Sequence, residues 1–281
     1  MADRQDIHAI PGALTLAGDC RVLFGTCGYS YTEWVDSTFY PAGTRTSEML
    51  SFYGYTFSTV ELNYTWYQMA RAEAVARMVR KAPSHFRFSA KLTRTMTHEL
   101  ADDWREQLKL YREGIAPLGQ QLQAVLVQLP PDFDRTLSNR RYLAELLDGL
   151  HGLPLAVEFR HASWAVDSVF QELERRKVSL VTVDEPEIGG LFPTLDVVTN
   201  PELFYVRFHG RNISGWRSGN MQKKIDYDYS EDELRGWSEE WLGKLVRQAK
   251  SGVIYFNNHV RGQAPRNAQR LKKIVGNSSL A

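Results

Sequence analysis

The chain has 281 residues, 43% of them hydrophobic and 24% charged, with 34 Lys and Arg against 33 Asp and Glu for a formal net charge of +1. That balance belongs to a soluble globular protein and excludes a surface that is basic all over, as a general polyanion binder needs. Cys20 and Cys27 stand apart from any His/Cys cluster, which excludes a disulfide framework and argues against a zinc site. No apolar run reaches bilayer length, and Met1 to Cys20 lacks a basic start followed by an apolar core, so a cytoplasmic protein without membrane contact is expected.

In chain order, residues 1–20 read as a loose N-terminal arm with Pro11-Gly12, and 21–281 as one folded unit. The first strand spans Arg21 to Ser30, followed by a polar, aromatic loop and a helix over Ser47 to Phe57. Strands then alternate with helices: Thr59–Asn63 and Arg71–Lys81, Phe86–Leu92 and Asp102–Leu118, Leu122–Leu129 and Asn139–Leu150, Leu155–Arg160 and Val166–Arg176. The sixth strand, Val178 to Asp184, leads into a connection from Glu185 to Pro201 that shows little helical period. The seventh starts at Leu203 and is followed by a helix over Glu231 to Lys250. Gly252 to Asn257 and a helix over Pro265 to Val275 complete the chain. Strict alternation implies a parallel sheet with helices outside, and eight units is the number that closes a TIM-like (β/α)8 barrel. An open doubly wound sheet is the competitor, but no strand is followed by a dinucleotide or P-loop glycine turn.

Polar residues gather at the carboxyl ends of these strands, where a barrel builds its site. They are Glu61 and Asn63, Ser89 and Lys91, Gln128, Glu158 and Arg160, Asp184, Arg207 and His209, then Asn257 and Asn258, with His98 just beyond the third strand. Many are two apart and so point the same way, as Tyr205, Arg207 and His209 do opposite Phe204, Val206 and Phe208. The plain alternative is a set of salt bridges across the mouth, Glu158 with Arg160 or Arg207 for example. Burying that many charges without a ligand is costly, which favours a pocket. Three further features point the same way. The helix start after Gly262 suits a phosphate. Arg211 to Tyr229 reads as a basic, aromatic lid holding Trp216, Lys223 and Lys224. Tyr29, Tyr31, Trp34, Tyr64, Trp66, Tyr67 and Trp164 fall just past strand ends, where aromatics either stack on a sugar or base or pack the rim of the barrel mouth.

At these residues the chain resembles the YecE-like family, which is named for unknown function. The matching stretches are Gly25-Thr-Cys-Gly-Tyr-Ser-Tyr-Thr-Glu-Trp34 with Phe39-Tyr-Pro41, Thr59-Val-Glu-Leu-Asn-Tyr-Thr-Trp-Tyr67, and Phe86-Arg-Phe-Ser-Ala-Lys91 with Thr97-His98. Further on come Gln128-Leu-Pro-Pro131, Glu158-Phe-Arg-His-Ala-Ser-Trp164, Arg207-Phe-His-Gly-Arg211 and Tyr255-Phe-Asn-Asn-His259. Cys27 stands where Ser is commoner. The resemblance implies a TIM-like barrel and hands over no activity; the family's suggested similarity to apurinic endonuclease barrels is an analogy of fold.

Two chemistries suit the ring, and the first is favoured over the second. In the first, a phosphoester hydrolase acts on a phosphorylated or nucleic-acid substrate. Glu61, Glu158, Asp184, His98 and His209 offer ligands to a divalent metal, and Lys91 and Arg207 hold phosphate oxygens. The cations of the ring oppose such a metal cluster. In the second, the site is metal-free and takes a small anionic metabolite such as a sugar phosphate. Glu158 or Asp184 then serves as base, His209 as acid and Lys91 as an anion ligand or Schiff-base amine. Tyr29, Glu61, Asn63, His98, Gln128, Arg160, Trp164, Arg207, Asn257 and Asn258 are the expected binding residues in either reading, and a binder without turnover is the third reading. Arg207→Ala and His209→Ala are expected to damage function more than folding.

Overall fold

The computed structural model describes residues 10–37 and 39–280. Nine strands form one curled sheet: β1 Leu14–Leu16, β2 Cys20–Thr26, β3 Thr59–Leu62, β4 Arg87–Lys91, β5 Leu122–Gln128, β6 Leu155–Glu158, β7 Ser179–Asp184, β8 Phe204–Phe208 and β9 Ser251–Phe256. Their order is β1-β2-β9-β8-β7-β6-β5-β4-β3. Every pairing is parallel except β1 with β2. The eight expected strands are therefore β2 to β9. The curl brings the far members β2 and β3 together at one parallel bridge, Cys27 with Glu61, and the Gly28 N–H donates to the Glu61 carbonyl at 2.8 Å. Gly25 makes that approach tolerable, since a Cβ there would sit 2.4 Å from the Thr59 carbonyl oxygen.

Helices cover the outer face. The last one, Gln263–Gly276, buries Ala264, Ala268, Leu271 and Val275 along one stripe at helical spacing. Thr136 caps the helix Leu137–Gly149 by accepting from the Asn139 N–H, and Ser230 with Glu233 forms a capping box at Glu231–Trp237. Phe204, Val206 and Phe208 of β8 join the outer core beneath these helices. Tyr205 instead packs inside the curl with Leu126, Val181, Val183, Val253 and Tyr255, as the alternation of β8 predicts.

Because inward residues recur every second position, the interior rises in layers toward the strands' carboxyl ends. An apolar floor is followed by a hydroxyl layer, in which the Tyr255 hydroxyl lies 2.6 Å from Thr59 Oγ1 and 3.1 Å from Ser89 Oγ. Charged residues come above that, and the open end last.

Several expectations change in detail. The N-terminal arm is not loose over its second half: Ile10 is buried, Leu14–Leu16 adds a strand, and Cys20 opens β2. Residues 1–9 lie outside the described residues. The helix expected over 231–250 holds α-helical geometry at Glu231–Trp237 and Gly243–Leu245, with a π-helical turn at Ser238–Leu242 between them. The 185–201 connection has no helix, in line with its composition. The excursion after β8 folds into two short helices, Ile213–Arg217 and Met221–Ile225. No described helix is long and apolar enough to cross a membrane.

Candidate functional site

The charged layer centres on Arg207, which is 1% exposed and so must meet its charge inside the protein. Its Nη1 donates to Glu158 Oε2 at 2.6 Å and its Nη2 to Glu61 Oε1 at 2.7 Å, while the Tyr205 hydroxyl donates to Glu61 Oε2 at 2.6 Å. Cys27 Sγ lies 3.4 Å from the same Nη2. Arg160 forms the second bridge. Its Nε donates to Glu158, its Nη1 donates to Glu185 Oε2 at 2.7 Å, and its Nη2 lies 2.8 Å from His209 Nε2. Glu158, fully buried, thus has both oxygens taken by arginines. Burial works against its charge, but Arg160 and Arg207 outweigh that and hold its carboxyl well below the usual range. The salt-bridge alternative weighed from the sequence describes this layer correctly.

A guanidinium only donates, so His209 Nε2 is an acceptor and the imidazole is neutral. Burial, then the Arg160 charge, keep it so by pushing its pKa well down. With Nε2 turned to Arg160 and Nδ1 within 3.2 Å of the Asn257 amide, His209 has no proton on Nε2 to give as an acid.

Above this layer opens a cavity of about 400 Å3 at the strands' carboxyl ends. Its walls hold Lys91, Arg160, Arg207, Lys224, His98, His209 and His259, the amides Asn63, Gln128 and Asn257, and the rings of Tyr31, Trp66 and Tyr67. No carboxylate lines it among the described residues. Among the described residues Lys91, at the end of β4, has no ion-pair or hydrogen-bond partner for its Nζ, which sits 4.7 Å from the centre of the Trp66 ring. Burial, then the neighbouring Arg207 charge, push its pKa down to about 7. His98 is pushed down to about 4 by burial and by Lys91. Its Nδ1 lies 2.9 Å from Thr97 Oγ1.

The excursion after β8 forms one wall through Met221, Lys224 and Ile225. Lys224 Nζ lies 3.4 Å above the Trp216 ring, and burial followed by the Arg160 charge lowers its pKa to about 8. This wall is tied down at its base. Gly210 turns with φ +85°, where a Cβ would strike Tyr227. Arg211 grips Asp184 with Nε at 3.0 Å and Nη2 at 2.5 Å, and the Tyr229 hydroxyl donates to Asp184 at 2.6 Å.

The cavity therefore gathers Lys91, Asn63, His98, Gln128, Arg160, Arg207, His209 and Asn257 from the expected set. Glu61 and Glu158 lie beneath it, sealed under arginines. Asp184, read as a candidate base, lies outside it and anchors the excursion. Trp164 is buried among Phe133 and Phe159 on the outer face, Asn258 donates to Tyr227 and Asn267, and Tyr29 lines a neighbouring cleft with Tyr64 and Met78. The helix start after Gly262 is closed as a phosphate site. Gly262 packs on Ser37, Gln263 donates to Asp226, and none of residues 260–267 reaches the cavity.

The metal-ligand set proposed from sequence does not assemble: among the described residues no three His, Cys, Asp or Glu side chains converge. The carboxylates that would have served are held by arginines instead. Glu185 and Trp66 carry weight that their types alone did not signal. Glu185 is the inward neighbour of Asp184, a signal that the parity of β7 contains. Burial outweighs Arg160 there and raises its carboxyl pKa to about 7.

A curled parallel α/β sheet with a cation-lined cavity at its carboxyl ends is the class of protein that the geometry defines. The chain belongs to the DUF72 family, described as proteins of unknown function, whose model matches residues 23–280. This agrees with the YecE-like resemblance of the motifs. It is 29% identical over 262 residues to the UPF0759 protein YunF of Bacillus subtilis (strain 168), covering 87% of this chain and 93% of that one. Among solved structures it is similar to a DUF72 family protein from Thermotoga maritima MSB8, with a TM-score of 0.82, 34% identity, and 90% and 98% of the two chains covered. A second DUF72 protein, from Enterococcus faecalis V583, matches with a TM-score of 0.80 and 31% identity over 92% of this chain and 96% of that one.

Proposed function

We propose that the cavity binds a small anionic metabolite, bearing a phosphate or carboxylate, without the help of a metal. The observation that carries this reading is the division of charge. Glu61, Glu158 and Glu185 beneath the cavity are each bound by an arginine, whereas the ammonium groups of Lys91 and Lys224 face the cavity without an ion-pair partner among the described residues and rest on aromatic rings. Two ammonium groups with unsatisfied donors in a half-enclosed space attract an anion, and the anion in turn favours the protonated state of the lysine that it meets. The volume suits a small molecule rather than a nucleic-acid strand. The approach of β2 to β3 at Cys27 and Glu61 supports reading the curled sheet as a (β/α)8 barrel, with the cavity at the end where such barrels place their sites.

Calorimetric titration with inorganic phosphate tests the reading. Wild-type protein is expected to bind, and dialysis against a chelator is expected to leave the affinity unchanged. Lys224→Met should weaken binding about tenfold, the loss of one charge-assisted contact worth about 1.4 kcal/mol. Binding that vanishes with the chelator would return the site to a metal, and an unaltered Lys224→Met affinity would place the anion elsewhere.

A further inference from the structure

The two cavity lysines differ in what holds them. Lys224 belongs to the excursion and rests on Trp216. Lys91 is the last residue of β4, paired in register with Leu126 of β5, and its carbonyl accepts from Thr65 Oγ1 at 2.6 Å. Its backbone is therefore fixed while its amine stands free at the cavity wall. Two lysines outside the cavity pair with carboxylates, Lys250 with Glu202 at 2.7 Å and Lys244 with Asp196 at 3.1 Å. The side chains that share the cavity wall with Lys91 are cations, amides and rings, and although Glu158 and Glu61 beneath favour its charge, burial and Arg207 outweigh them.

We propose that Lys91 is the nucleophile of a Schiff-base reaction with a small carbonyl compound carrying a phosphate or carboxylate, the carbonyl carbon meeting Nζ and the anion meeting Lys224. The inference rests on the anion-site reading and adds a substrate class and a chemical step to it. The Nζ lone pair forms a C–N bond as the carbonyl π pair moves to oxygen, which takes up a proton. The carbinolamine then expels that oxygen as water. In balance, amine, carbonyl and one proton from solvent give a protonated imine and one water, with no oxidant or reductant. The amides of Asn63, Gln128 and Asn257 at the wall suit the carbinolamine hydroxyl. The lowered pKa of Lys91 supplies the neutral amine near pH 7.

The test uses the full chain and pyridoxal 5′-phosphate as a probe, an aldehyde bearing a phosphate, with borohydride reduction and peptide mapping. The expected result is an imine absorbance band and one dominant reduced adduct, on Lys91, formed at least about tenfold faster than on the exposed lysines. Inorganic phosphate should slow it, and Lys224→Met should require about tenfold more probe, one ionic contact's worth. Lys91→Arg should give no adduct while still binding phosphate. Phosphate binding without a Lys91 adduct would overturn this inference and leave the anion site standing. Labelling of Lys91 that phosphate does not slow would overturn the anion site, and with it the anionic class of substrate.

Discussion

Replacing Arg207 by methionine destabilises the protein by about 3–5 kcal/mol, a loss read as a lower urea midpoint at unchanged slope. The cause is the pair left behind. Glu61 and Glu158 are both 0% exposed, and Arg207 bridges them at 2.7 and 2.6 Å. Without it, Glu61 retains only the Tyr205 hydroxyl among these contacts, and Glu158 retains only Arg160. A buried carboxylate without its countercharge either takes up a proton or draws water into the interior, and both cost stability. Glu61→Gln in the Arg207→Met background should recover part of the loss, because the amide removes a charge and keeps the volume. Full stability of Arg207→Met alone would mean that the ionic layer is not what holds the upper interior together. From sequence, Arg207 was expected to matter more to function than to folding; its burial between two glutamates reverses that order.

Lys91→Met acts in the opposite direction and raises the melting temperature. Methionine keeps the stem against Trp66 and removes an amine that burial and Arg207 disfavour as a cation. The pH dependence follows from linkage. The amine titrates at about 7 when folded against 10.5 for an ordinary solvated lysine. Between those limits the unfolded chain holds a proton that the folded one has lost, so wild-type stability rises with pH across that window. Below it both states are charged and the whole penalty stands; above it both are neutral and the penalty is gone. The advantage of the methionine is thus largest below about pH 7, on the order of 2–4 kcal/mol after allowing for partial solvent access, and fades toward 10.5. For a chain of this size each kcal/mol is about 2–4 °C or somewhat less. A residue whose removal stabilises the fold is one kept for another purpose, the usual trade between stability and activity. An equal or lower melting temperature at acid pH would show that Lys91 is a structural cation.

Much of this was legible in the order of residues. Spacing by two fixed which side chains of β8 turn inward, and strict alternation of strands and helices fixed the parallel sheet. What parity could not supply was depth. Glu61 and Lys91 both point inward near strand ends, yet one is sealed and the other faces the cavity, because strand stagger and the curl decide which layer each joins. Asp184 was misplaced for a different reason. Its parity with Leu180 and Thr182 sets it opposite the inward Val181 and Val183, but it was placed by its position at a strand end alone. Lys224 was visible only as part of a basic, aromatic stretch, and its approach to the cavity depends on Arg211 and Tyr229 tying the excursion to Asp184. Trp164 looked like a rim aromatic because it follows a strand end, but a short 3-10 turn carries it back onto the outer core.

The measurement that bears most directly on the central claim is the titration of Lys91 itself, by competitive acylation and peptide mass spectrometry across the neutral range, with and without inorganic phosphate. Reactivity is expected to rise with a midpoint at about pH 7, and phosphate should shift that midpoint upward while protecting the residue. A midpoint close to the 10.5 of an ordinary lysine, unmoved by phosphate, would contradict both the neutral amine and the anion site built around it.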